Sequence, residues 1–85
     1  MSRSRLDIYD DYPADAIEEV IDQWIHNYKH KLILRYKLVY GYTYDQTANL
    51  VSKDIGQYVS TDSVKRAVYK AENKLFKRLE IIYKH

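Results

Sequence analysis

Cysteine is absent from this chain, so neither a disulfide nor a thiolate metal site can brace it, and the composition suits a reducing compartment. Proline occurs once and glycine twice, leaving Pro13, Gly41 and Gly56 as the few strong punctuation marks. Long apolar runs are missing too: "LIL" at 32–34 is far shorter than a membrane span, and "MSRSRLDIYDDYP" has no apolar core of the kind a secretory signal needs. These absences predict a cytoplasmic protein held together by packing alone, with no membrane partner.

What is present points to a folded domain. The chain has 85 residues, enough for one small domain, and 46% of them are apolar or tyrosine, too many for a disordered segment. Residues 1–12 lack sustained periodicity and read as a flexible arm, with a single helical domain over 13–85. There is no internal repeat and no linker long enough to divide that domain.

The formal net charge of +2 conceals a separation along the chain. Residues 6–27 hold seven acids and no Lys or Arg, whereas residues 60–85 hold seven bases against three acids. A segregated basic half is what a polyanionic partner would select.

Hydrophobic spacing predicts an all-α protein, a compact bundle of three to five helices. Pro13 followed by Asp15 and Glu18 resembles a capping-box start, and Ile17, Val20, Ile21, Trp24 and Tyr28 form one apolar stripe on a first helix. The segment 29–44 fits helical and alternating patterns equally, but a lone strand has no pairing partner here, so a helix ending before Gly41 is expected. Thr43 with Gln46 is a second capping box, and Tyr44, Ala48, Val51 and Ile55 share one face of the helix that follows. Gly56 stands where a left-handed terminating residue belongs. Ser60 or Thr61 then opens a final helix whose inner side is Val64, Ala67, Ala71, Leu75, Leu79 and Ile82.

A helix, a turn and a second helix with small inward residues is the layout of a helix-turn-helix unit, whose second helix is free to enter a DNA major groove. The early outward positions Thr61, Asp62, Ser63, Lys65, Arg66, Tyr69 and Lys70 are placed to meet base edges. Lys74, Lys77 and Arg78, further along, are placed for phosphates or solvent.

"YTYDQTANLV" followed by "VSTDSVKRAVYKAENKL" resembles the C-terminal, region-4-like promoter-reading domain of bacterial sigma factors. Val59 and Ser60 match its Val-Ser pair, and Val64, Ala67, Ala71, Lys74 and Leu75 fall at its spacings. "LILRYKLVYGYT" is similar to the leucine- and arginine-rich helix that precedes the motif. In length the chain is more like small phage transcription activators of the ArpU and RinA type, and the resemblance covers about residues 29–79. It departs at Thr47, where the family has an aliphatic residue, and at "SKDIGQ", residues 52–57, which lengthen the connection. If Ile55 closes the first helix of the pair, four of those six add about one helical turn.

The resemblance implies a sequence-specific double-stranded DNA-binding regulator of transcription, of phage or prophage origin, acting in a bacterial cytoplasm. RNA polymerase or another host protein is then an expected partner, and a homodimer through Ile81, Ile82 and Tyr83 is an equally open one. The alternative is a phage-encoded inhibitor or adaptor that docks a host protein on the acidic first helix.

Other candidates have plainer readings. Arg3 and Arg5 could form a minor-groove arm, but suit an untethered terminus better. His26 and His30 are four apart on an expected helix, yet no third metal ligand accompanies them, so no metal and no cofactor is expected. Glu18, Glu19 and Asp22 have no partner base or nucleophile, and no enzyme activity is expected. Of the ten tyrosines, Tyr28, Tyr36 and Tyr44 fall on apolar stripes and are expected to pack.

Overall fold

The computed structural model describes residues 12–83. Among them are four α-helices and no strand: α1 (Ala14–Trp24), α2 (Tyr28–Leu34), α3 (Tyr44–Ile55) and α4 (Thr61–Tyr83), with α2 prolonged by a π-helical turn over Arg35–Val39. The expected all-α bundle is the fold observed. Arg3, Arg5 and most of the expected arm lie outside the described residues, while Tyr12 already packs against the core.

Helix α1 starts without a capping box. Pro13 occupies the N-cap position and has no side-chain acceptor, so its carbonyl takes the amides of Ala16 and Ile17 while Asp15 lies one step inside the helix. The expected stripe also stops early. The chain extends at Ile25, and Asn27 caps a new helix by accepting the His30 amide on Oδ1 at 3.1 Å. Tyr28 therefore begins α2 and is 66% exposed instead of packing, and His26 and His30 do not share a helix.

Helix α2 buries Ile33 and Leu34 completely, while Leu32, Tyr36 and Val39 pack half-buried against the core. Its end is a wide turn: the Tyr40 amide reaches the Arg35 carbonyl and the Tyr42 amide reaches that of Tyr36. Gly41 makes this reversal with φ +76°, a left-handed conformation that disfavours any residue with a Cβ.

The last two helices follow the sequence closely. Thr43 and Gln46 form the reciprocal capping box, with contacts of 3.1 and 3.0 Å. Ile55 closes α3 and Gly56 terminates it at φ +69°, so residues 52–55 are the extra helical turn and the connection is 56–60. Ser52 fixes that connection. Its hydroxyl donates to the Ala48 carbonyl at 2.7 Å and accepts the amide of the buried Val59 at 2.8 Å. Ser60 caps α4, accepting the Ser63 amide at 3.1 Å.

Helix α4 packs against all three other helices. Its buried side is Val64, Ala67, Val68, Glu72, Leu75 and Leu79, wider than the expected stripe, with Ala71 half-buried. Ile82 is 51% exposed rather than inward. Each fully buried Leu contributes on the order of 2 kcal/mol by leaving water, so Leu75 and Leu79 anchor α4 along its length.

Candidate nucleic-acid interface

The anchored back of α4 determines what its front displays. Lys65, Arg66, Tyr69, Lys70, Lys74 and Lys77 are exposed, Tyr69 at 75%. Of these cations only Arg66 has an ion-pair partner among the described residues: Asp62, 3.4 Å away and one turn earlier. Both side chains are largely in water, so the pair is weak and Arg66 is free to leave it.

Two of the nominated residues are committed within the protein. Thr61 donates its hydroxyl to Asp45 at 2.6 Å, joining the starts of α3 and α4, and Ser63 belongs to the cap formed by Ser60. Asp62 is exposed at the helix start, where its charge suits the dipole. Lys65 lies 5.7 Å from the centre of the Tyr44 ring, which Lys37 approaches from the π turn at 4.6 Å. Burial first, and then the charge of Glu72, raise the Tyr44 pKa, so this ring stays a neutral phenol beneath its two cations. Arg78 is not a free phosphate ligand. Its guanidinium lies over the Trp24 ring at 3.8 Å.

Two residues that the sequence did not bring to this face join it from α2. Lys29 and His30 meet Arg66 and Lys70 across a recess of about 180 Å³, whose buried wall is Ile33 and Ala67. Partial burial, then Lys29 and Lys70, hold the His30 pKa below its ordinary 6.5. The sequence signal was confined to the basic pair beside His30, because its cationic neighbours on α4 are distant along the chain.

A second concavity, of about 270 Å³, lies at the π turn and is lined by Leu32, Arg35, Tyr36, Tyr40 and Tyr42. The three tyrosine rings stand 5.9 to 6.3 Å apart, centre to centre. Arg35 pairs with Glu18 of α1, and Tyr36 donates its hydroxyl to Asp54 of α3, so this cluster ties three elements together. Glu18 is consequently not part of a free acidic face. Asp15, Glu19 and Asp22 remain exposed on α1.

Among the described residues no group of three or more His, Cys, Asp or Glu side chains is placed to hold a metal ion, and no helix is long and apolar enough to cross a membrane. The fold and this face define a small all-α bundle that presents one long cationic helix. Comparison with protein-family models, with curated proteins and with solved structures finds no match.

Proposed function

We propose that this chain is a sequence-specific, double-stranded DNA-binding regulator of transcription that lays the first turns of α4 in the major groove. The observation that carries this reading is the combination on α4 of a buried, mainly apolar back with exposed Lys65, Arg66, Tyr69, Lys70 and Lys74. A rigid helix in a groove needs both, since the buried side fixes its attitude and the exposed side supplies donors to bases and phosphates. The Ser52 lock on the 56–60 connection supports the same reading, because it holds α4 in one orientation on α3.

The resemblance to sigma-factor region 4 and to phage activators extends the proposal to a phage or prophage source and a role at promoters, as a non-enzymatic protein. RNA polymerase or a second copy of the chain would then supply the specificity that one short helix lacks.

The test is a random-site selection with purified protein, followed by affinity measurements over a range of salt. An enriched motif of about four to six base pairs per helix and an affinity that falls steeply with added salt are expected. Recovery of unenriched sequence at every salt concentration refutes the proposal.

A further inference from the structure

The recess between α2 and α4 gathers positive charge from two elements around a cavity walled by apolar side chains. Lys29 and His30 come from the start of α2, and Arg66 and Lys70 from successive turns of α4. Among the described residues no acid lines it. Arg66 does pair with Asp62, but that contact is exposed and readily exchanged. Ser63 also lines the recess and accepts from the Ser60 hydroxyl at 3.0 Å, which leaves its own proton to donate. Cations converging on a small space repel one another until an anion enters.

We infer that this recess seats one phosphodiester group of the DNA backbone, held by Lys29, Arg66 and Lys70, with His30 joining as a further donor when it is protonated. The inference rests on the DNA-binding reading above and adds where the backbone is gripped and how pH controls the grip. A phosphate here would fix the duplex beside the N-terminal half of α4, the half expected to read bases.

The proton linkage has a definite sign. In the free protein His30 is held below its ordinary pKa by partial burial and by Lys29 and Lys70, so it is mostly neutral at pH 7.5. A phosphate oxyanion among those side chains reverses the local potential and raises that pKa. Binding therefore takes up a proton, and affinity rises as pH falls, by up to about tenfold for each unit by which the bound phosphate raises the His30 pKa. A phosphodiester keeps its charge throughout this range, and comparison with a His30 variant isolates the contribution of that ring.

The experiment measures duplex affinity of the full chain at pH 5.5 and 7.5 for the wild type, His30→Gln and Lys70→Gln, and follows the His30 ring by NMR with and without duplex. The wild type should bind more tightly at the lower pH, and the His30 pKa should rise in the complex. His30→Gln should lose most of the gain in affinity that the wild type shows between pH 7.5 and 5.5. Lys70→Gln should weaken binding at both and reduce the salt slope by about one. Duplex binding whose pH profile is the same in His30→Gln, with an unmoved His30 pKa, overturns the seat and leaves the DNA reading standing. Absence of duplex binding by the wild type at either pH overturns the DNA reading and the phosphodiester assignment with it. A rise in His30 pKa caused by poly-glutamate but not by duplex reassigns the recess to carboxylates and overturns the proposal.

Discussion

The guanidinium of Arg78 lies 3.8 Å from the centre of the Trp24 ring, so the last turn of α1 is held to the distal half of α4 by a cation over an aromatic face. Trp24 is the only tryptophan and reports on this contact directly. Arg78→Ala should lower unfolding stability by about 1 kcal/mol and shift the Trp24 emission. Arg78→Lys should recover only part of the loss, because an ammonium cannot stack as a planar guanidinium does. Unchanged emission in both variants would place Arg78 in solvent.

Ser52 holds the amide of Val59 and the carbonyl of Ala48 with one hydroxyl. Ser52→Ala leaves a buried N–H without its acceptor, at a cost of about 1 to 3 kcal/mol. Urea unfolding should show this loss, and hydrogen exchange should show faster exchange concentrated at the 56–60 connection. Ser52→Thr keeps the hydroxyl and should lose less.

Thr47 presents the opposite case. It is fully buried, and its Oγ1 has no hydrogen-bond partner among the described residues. Thr47→Val removes a desolvated hydroxyl while preserving shape, and should raise stability by about 1 to 2 kcal/mol. A fall in melting temperature would mean that the hydroxyl is bonded in solution, with the Thr43 carbonyl four residues back as the natural acceptor.

Thr43, Gln46 and Gly56 act within a few positions of themselves, so local chemistry was enough to place both ends of α3. Likewise Val64, Ala67, Leu75 and Leu79 share a face by spacing alone. The stripe across Trp24 and Tyr28 misled because it spans a break, and Asn27, a good capping residue, was the signal that marked it. Ile33 and Leu34 are adjacent and both buried because α2 packs against other helices on more than one side, which a single-stripe reading does not anticipate. Arg35–Glu18, Tyr36–Asp54 and the recess at His30 depend on tertiary proximity. Each joins side chains that no spacing rule relates.

Tyr36 gives a pH signature. Its hydrogen bond to Asp54, with help from burial, pushes its pKa up to about 12 from 10. A group whose pKa is higher in the folded state contributes its full stability below pH 10 and loses it as pH climbs toward 12. Tyrosinate absorbance should therefore include a phenol that titrates near pH 12 and is absent in Tyr36→Phe, and the alkaline loss of stability should be shallower in that variant. An Asp54→Asn protein should move the same phenol back toward 10. If the phenol near pH 12 survives both substitutions, it belongs to another tyrosine.

The DNA reading makes its sharpest demand on position along α4. Twelve residues separate Lys65 from Lys77, about 18 Å along a helix axis, whereas the major groove is about 12 Å wide. A helix inserted by its first turns can therefore bring Lys65 and Arg66 to base edges, while Lys77 rises clear and meets at most the backbone. Lys65→Ala and Arg66→Ala should each reduce the preference for the selected site over unrelated duplex by about 1 to 3 kcal/mol. Lys77→Ala should weaken all sequences alike and lower the salt slope by at most about one. Tyr69, with no polar group but its hydroxyl at the tip, should affect site preference more as Tyr69→Ala than as Tyr69→Phe. The pattern matters more than any single value: uniform weakening by all the lysine and arginine variants would reduce α4 to a cationic surface that holds DNA without reading it.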